Sequence, residues 1–144
     1  MQTKQQSELR GKEGEFEIAR ILRSFGVQKL RRPDWVFLHP IKQKWYYIEV
    51  KNKEPFAPPP DWLQGFPQSQ FVKDVHIDAA GLSCLYFVRG KNNDWLGQYA
   101  NKLEPLQIPP LNLVNEGLVW FPLSQFEPLE LFLAKIGMIQ HGGA

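Results

Sequence analysis

The 144-residue sequence contains one cysteine, Cys84, and no apolar run long enough to cross a bilayer. A single cysteine excludes an internal disulfide, and its apolar surroundings, LSCLYFV, favour a packed thiol over a nucleophile. A transmembrane helix needs about 18 consecutive apolar residues, and the polar start, MQTKQQSELR, does not have the pattern of a signal peptide. We therefore expect a soluble, cytoplasmic protein with no membrane association.

Two further kinds of site are missing from the sequence. The three histidines, His39, His76 and His141, lack the spacing of a zinc site, and none is paired with a serine or cysteine as in a catalytic triad. The sequence also lacks a glycine-rich loop of the P-loop or dinucleotide-binding type. Zinc-dependent, triad-based and nucleotide-driven activities are therefore not indicated.

The net charge is only +2, but the charges are unevenly distributed. Residues 1–53 hold 12 Lys and Arg against 6 Asp and Glu, whereas residues 54–144 hold 5 against 9. Positively charged residues around a cluster of carboxylates suit a protein that binds a polyanion and a metal ion at the same site. The alternative interpretation is a solvated basic surface without a specific partner.

The length predicts a single domain over residues 1–144. Apolar periodicity and turn residues predict a helix over 7–25, strands over 27–32, 34–40 and 44–52, a helix over 69–80 and a strand over 82–89. Prolines between Lys53 and Gln70 predict a rigid loop. In the last third, residues 91–103 resemble a polar loop with a short helical turn, 118–126 a strand, and 127–137 an amphipathic terminal helix.

Candidate site residues stand at the ends of two neighbouring predicted strands. Asp34 opens one of these strands, and Glu49 and Lys51 close the next. Because a strand exposes alternate residues on one face, Glu49 and Lys51 point the same way, while Val50 enters the opposite layer. Carboxylate oxygens suit a hard divalent cation such as Mg²⁺, and an ammonium group beside it can hold a phosphate or orient a water. This combination outlines a phosphodiesterase site.

The first predicted helix supplies a fourth candidate. At about 100° per residue, Glu15 lies on the same face as the apolar residues Ile18 and Leu22. An inward glutamate costs free energy unless it is paired or binds a cation, so Glu15 joins the candidate site. Glu13 and Glu17 fall on the opposite face and are predicted to be ordinary solvent-facing charges.

These residues, Glu15, Pro33-Asp34 and Glu49-Val50-Lys51, resemble the motifs of the PD-(D/E)xK nuclease superfamily. Within it, the segments GEFEIARIL, PDWVF and YYIEVKN are most similar to archaeal Holliday junction resolvases and to small nuclease domains of the VRR-Nuc and restriction-enzyme type. The resemblance covers about residues 7–90. It implies an α/β fold with a restriction-endonuclease-like core, in which helices flank a mixed central sheet in the order α-β-β-β-α-β. Residues 91–144 are then expected to form a C-terminal extension packed on that core.

The resemblance also implies roles for the matching residues. Family members bind one or two Mg²⁺ ions through a helical glutamate, an aspartate and a second glutamate; these roles fall on Glu15, Asp34 and Glu49. The backbone carbonyl of Val50 is an additional ligand, and Mn²⁺ is a possible substitute. Lys51 lies at the attacking water, either as its activator or, if it stays charged, as an electrostatic clamp.

Other residues are candidates for contacts with the substrate. Related nucleases often carry a polar residue on the helix after E-x-K, a position that Gln70 matches; the alternative is a simple N-terminal polar residue or cap. Basic residues around the motifs are expected to bind phosphates, and one tryptophan in the proline-rich segment is expected to stack on bases. These residues are Lys12, Lys29, Arg31, Arg32, Lys53 and Trp62. A generic surface charge is the alternative for each basic residue.

The function implied by the resemblance is a magnesium-dependent endodeoxyribonuclease. The small size fits a structure-selective enzyme of the Holliday junction resolvase type, acting on branched DNA in recombination or repair. Symmetrical cutting of two strands would require a homodimer, for which the apolar last third is a candidate interface. One alternative is a catalytically silent nucleic-acid-binding or assembly module of the same fold. Another is a nuclease that acts on RNA, because no feature of the sequence distinguishes a nucleotide with a 2′-hydroxyl from one without it.

Overall fold

The computed structural model describes residues 3–31, 35–57, 62–107 and 117–140. Its helices are α1 (Lys4–Ser24), α2 (Gln68–Ala79) and α3 (Leu129–Lys135). Its strands are β1 (Leu30–Arg31), β2 (Val36–Leu38), β3 (Trp45–Lys51), β4 (Leu63–Pro67), β5 (Ser83–Arg89), β6 (Trp95–Tyr99), β7 (Leu118–Pro122) and β8 (Glu127–Pro128). Six strands form one sheet in the order β1-β2-β3-β5-β6-β8, and β4 and β7 form a separate pair.

The centre of the main sheet is the parallel pair of β3 and β5. The chain crosses between them through β4 and α2, as a parallel connection requires. Lys51 pairs with Val88, so both strands end at the same edge of the sheet. β1, β2 and β6 pair antiparallel with their neighbours, which makes the sheet mixed. The predicted α/β fold, with helices flanking a mixed sheet, is confirmed. The order α-β-β-β-α-β holds for the helices and the strands of this sheet, with β4 of the separate pair inserted before α2.

Helix α1 covers one face of this sheet. A capping box between Thr3 and Gln6 starts the helix, and Gly26, with φ of 90°, follows its end. Glycine adopts this left-handed conformation without steric cost. Ile18 and Leu22 are fully buried in the core below the helix. None of the described helices is long and apolar enough to cross a membrane.

Strand β3 divides its side chains between two cores, as the alternation predicted. Tyr46 and Ile48 are buried with α1 and α3 on one face. Tyr47 packs on the other face against a cluster that contains Cys84 and Tyr86, together with residues of α2, β4 and β7. Burial raises the pKa of the Cys84 thiol. The packed thiol predicted at this position is confirmed.

The prediction of a loop throughout the proline-rich segment is wrong for β4. Leu63 and Phe66 are buried, and all five residues of β4 pair antiparallel with β7. Pro67 is the last residue of the strand, a position where the lack of a backbone N–H disrupts strand pairing least. Residues 58–60, three of the prolines on which the loop was predicted, lie outside the described residues.

The prediction of a polar loop over residues 91–103 is wrong for β6. The chain turns between Gly90 and Asp94, with Asn93 at φ of 58°, and returns antiparallel to β5. A tight turn of this kind lets a short strand pair with its sequence neighbour. The short helical turn is confirmed as a 3₁₀ helix over Ala100–Lys102.

Helix α3 and its flanking residues close the first core. Phe132 and Leu133 are buried in the cluster that also holds residues of α1. His39, fully buried, accepts the backbone N–H groups of two turn residues on Nδ1, so its Nε2–H donates to the carbonyl of Ile136 over 2.8 Å. Both the terminal helix and the strand β7 are confirmed, although β7 belongs to the second sheet.

Candidate active site

Glu49 and Lys51 lie side by side on one face at the end of β3. Both are half-buried. Tyr47 lies two residues earlier on the same face; burial first, and then the charge of the Glu49 carboxylate, raise the pKa of Tyr47. The Lys51 ammonium lies 5.6 Å from the centre of the Phe66 ring. The end of β3 therefore presents a carboxylate beside an ammonium group.

A buried carboxylate, Asp74, lies behind this pair. Asp74 is 0% exposed, and the Tyr86 hydroxyl donates to its Oδ2 over 2.6 Å. Its Oδ1 has no hydrogen-bond partner among the described residues. Burial raises the pKa of Asp74 to about 6; the Tyr86 hydrogen bond opposes the rise, and the charge of Glu49 adds to it. Asp74 belongs to the electrostatics of the site, and the sequence analysis missed it.

Gln70 lies on the same helix as Asp74, one turn earlier. Helix α2 begins at Gln68, and Gln70 is half-buried in its first turn. Residues four apart share a helix face, so Gln70 and Asp74 belong to the same side of α2. This spacing, with Phe71 beside Gln70, is the signal that would have marked Asp74 as an inward carboxylate.

The turn of α1 that carries Glu15 lies against the end of β3. Gly14 is buried, and a Cβ at this position would overlap the Cβ of Asn52. The Asn52 side-chain amide donates to the carbonyl of Arg10 over 2.7 Å. Because Asn52 directly follows Lys51, this contact brings the turn containing the half-buried Glu15 next to the strand end that carries the site.

Asp34 lies outside the described residues, together with Arg32. The nearest described neighbour, Trp35, accepts the backbone N–H of Ile48 through its carbonyl oxygen over 2.8 Å. Among the described residues, no group of three or more His, Cys, Asp and Glu side chains is arranged to hold a metal ion. The expected set of three carboxylates includes Asp34, so that metal site stays a prediction.

The basic candidates are distributed over both ends of β3. Burial, followed by the charge of Lys51, lowers the pKa of Lys53, which places these two cations together. Arg31 instead lies 4.8 Å above the Trp45 ring at the start of the strand. Lys29 lines a cavity beside the turn before β3, about 20 Å from its far end at ~3.3 Å per residue. Lys12 is exposed on α1.

The prediction that Glu17 is an ordinary solvent-facing charge is wrong. Arg89 donates to the Glu17 carboxylate over 2.6 Å, and the Trp95 indole N–H donates to the same oxygen over 2.8 Å. Both partners come from the β5–β6 hairpin, which the helical phase of α1 cannot reveal. Glu13, one turn earlier, is exposed as predicted.

Comparison with known proteins identifies a nuclease of similar fold. No protein-family model matches the chain, and no curated protein matches it. A solved structure described as D212, a nuclease from a fusselovirus, is similar with a TM-score of 0.53 and 12% identity, covering 85% of this chain and 88% of that chain. At this identity the likeness shows a shared fold, which extends over most of both chains.

Proposed function

We propose that this protein is a metal-dependent nuclease that hydrolyses phosphodiester bonds. The observation that carries the proposal is the pair of Glu49 and Lys51, side by side where the parallel strands β3 and β5 end together. Open α/β sheets commonly bind ligands beyond the carboxyl ends of such strands. The nuclease D212 has a similar fold, which supports this class of activity over the others.

The donor groups near this strand end suit a hard cation. Glu49 offers carboxylate oxygens, and the adjacent Val50 offers a backbone carbonyl; we propose Glu15 and Asp34 as the remaining ligands. Oxygen donors of this kind are those that Mg²⁺ and Mn²⁺ prefer. When bound, the metal would stabilise charge on the reacting phosphate and lower the pKa of a water molecule.

The residues around the donors have separate roles in this proposal. Tyr47, on the same strand face, lies close enough to Glu49 for the carboxylate charge to raise its pKa, and its hydroxyl would serve as a hydrogen-bond donor beside the metal ligand. Lys51, next to the phosphate, either neutralises its charge or orients the attacking water. Gln70, on the helix face of Asp74, would hydrogen-bond to substrate or water. A second cation, Lys53, adds to the positive potential that attracts the nucleic-acid backbone.

We further propose branched or otherwise structured DNA as the substrate. Coordinated cleavage of two strands of a junction would require a homodimer. Recombination and repair intermediates are DNAs of this kind.

A cleavage assay tests the proposed function. Wild-type protein, Asp34→Ala, Lys51→Ala and the control Lys42→Ala would be incubated with branched, flapped, single-stranded and linear DNA, and with matching RNA, in Mg²⁺, Mn²⁺ or EDTA. Lys42 is exposed in the turn at the opposite end of β3. We expect metal-dependent cleavage that falls about 100-fold or more in the two site variants and is unchanged in Lys42→Ala. Equal cleavage by all four proteins would refute the mechanism, and binding without cleavage would favour a silent module.

A further inference from the structure

A cavity of about 340 Å³ lies beside the turn that connects β5 to β6. It is separate from the Glu49–Lys51 pair and is lined by side chains from three parts of the chain. The lining side chains include Trp62, Lys91, Asn92, Leu96, Leu123 and Ser124. The cavity thus combines one aromatic ring, two apolar walls and a polar rim.

The chemistry of this lining suits a flat aromatic group with a polar edge. Trp62 is 37% exposed, so part of its indole ring is open to a ligand. Lys91, Asn92 and Ser124 are exposed and offer an ammonium, an amide and a hydroxyl group. Asp94 also lines the cavity, with its carboxylate against Gly90. A nucleobase has this combination of a stacking face and hydrogen-bonding edge.

The cavity lies on the same edge of the sheet as the candidate active site. Val88 pairs with Lys51 on one side and with Leu96, which lines the cavity, on the other. Leu96 is therefore two strand spacings, about 10 Å, from Lys51. A nucleic-acid strand advances ~3.4 Å per base in a duplex, so the cavity lies within a few nucleotides of a phosphate at Lys51.

Hydrogen bonds hold this cavity in place relative to the site. The Gln64 amide donates to the carbonyls of Lys53, over 2.8 Å, and Arg89, over 3.1 Å. The carbonyl of Trp62 accepts the backbone N–H of Leu123 over 2.8 Å. The strand that follows Trp62 is therefore joined to the ends of both β3 and β5.

We propose that this cavity binds an unpaired nucleobase, stacked on Trp62, close to the phosphate that is cleaved. The inference rests on the proposed nuclease function and narrows its substrate class. A base can enter the cavity only when it is not paired in a duplex, so the preferred substrates carry a single-stranded or splayed nucleotide. Stacking supplies affinity without sequence preference, because every base has an aromatic face.

A binding experiment in EDTA tests this proposal independently of cleavage. Fluorescence anisotropy would measure the affinity of each protein for single-stranded DNA, single-stranded RNA and blunt duplex DNA. The proteins compared would be the wild type, Trp62→Ala, Trp62→Phe and the control Ile41→Ala. Ile41 is 55% exposed in the turn before β3, at the opposite end of that strand. A second series would place one abasic nucleotide at each position of the single strand.

We expect Trp62→Ala to weaken single-strand binding about tenfold, with Trp62→Phe and Ile41→Ala close to wild type and duplex binding unchanged. One abasic position should weaken wild-type binding and leave Trp62→Ala unaffected. The proposal would be overturned if Trp62→Ala lost affinity equally for duplex and single-stranded nucleic acid, or lost no affinity at all. It would also be overturned if no abasic position weakened wild-type binding, or if the wild-type protein bound no nucleic acid. Cleavage that depends on Lys51 alongside unchanged binding by Trp62→Ala would refute the cavity's role and leave the nuclease function standing.

Discussion

Arg89 donates a hydrogen bond from Nη2 to the Glu17 carboxylate over 2.6 Å, joining residues 72 positions apart. Arg89 is 8% exposed, and its other donors reach the side chain of Asn52 and the carbonyl of Asn93. One guanidinium therefore connects α1, the end of β3 and the β5–β6 turn. These elements carry or border Glu15, Lys51 and the Trp62 cavity, so the network supports the proposed site.

Replacing Glu17 by Gln should weaken this network. Burial raises the pKa of Glu17, but the Trp95 hydrogen bond and the Arg89 charge together outweigh it, so its pKa is lowered from the usual 4.5. The resulting stability is present above pH 4.5 and is lost as pH falls through the lowered pKa. Because the Glu17 side chain is 38% exposed and solvent partly screens its charge, we expect Glu17→Gln to reduce the unfolding free energy at pH 7 by about 1 kcal/mol, measured by urea denaturation.

The control for that substitution is Glu13→Gln, one turn earlier on the same helix and exposed. It should change the unfolding free energy by less than about 0.5 kcal/mol. The cost of Glu17→Gln should also shrink under acid conditions, where wild-type Glu17 is protonated. Equal effects of the two substitutions at pH 7 would show that the Arg89 contact contributes no net stability.

Asp74 is expected to reduce stability at neutral pH. Its pKa is raised to about 6 in the folded protein, from 3.8, so stability is greatest below pH 3.8 and declines as pH rises through 6. Asp74→Asn keeps an acceptor for Tyr86 and removes the buried charge. We expect it to raise the unfolding free energy at pH 7.5 by up to about 3 kcal/mol, with little gain at pH 4.

Urea denaturation at the two pH values measures this difference, and Asp94→Asn, at an exposed position, is the control. A gain that is the same at pH 4 and pH 7.5 would contradict the explanation from buried charge. If Asp74 also serves the site, the stabilised variant should cleave more slowly, because charge near Glu49 and Lys51 has changed. Active sites commonly keep a charged group that the reaction needs even though that group lowers the stability of the fold.

Two glycines of α1 should respond oppositely to alanine. An alanine at Gly14 would overlap Asn52, whereas an alanine at Gly11 meets no atom within 4 Å. Helix propensity alone favours both substitutions by about 1 kcal/mol. We expect Gly11→Ala to raise the thermal midpoint, and Gly14→Ala to cost about 1–3 kcal/mol from overpacking. Stabilisation by Gly14→Ala would show that α1 does not lie this close to the end of β3.

Local sequence patterns predicted the parts of the structure that depend on neighbouring residues. The two-residue period of β3 put Glu49 and Lys51 on one face, and the phase of α1 put Ile18 and Leu22 in the core, as found. Both results follow from the geometry of a single element. The strand–helix order of residues 7–90 could be predicted for the same reason, apart from β4.

Features that depend on distant partners could not be predicted. Strand β4 exists because it pairs with β7, more than 50 positions later, and its prolines pointed to a loop. Glu17 is paired because Arg89 folds onto α1. The spacing of Asp74 from Gln70 marks a shared helix face, but the burial of Asp74 depends on its contact with Tyr86 and the sheet. Tertiary contacts override local preference in each case.

In the proposed mechanism, Glu49 takes part directly in metal-dependent phosphodiester cleavage. The most direct measurement is the single-turnover cleavage rate of Glu49→Gln in Mg²⁺ beside Glu54→Gln, an exposed glutamate five positions later, with urea denaturation confirming that both variants fold. We predict that Glu49→Gln loses about 100-fold or more of the wild-type rate, while Glu54→Gln retains it. A folded Glu49→Gln protein that cleaves at the wild-type rate would show that this carboxylate takes no direct part in cleavage.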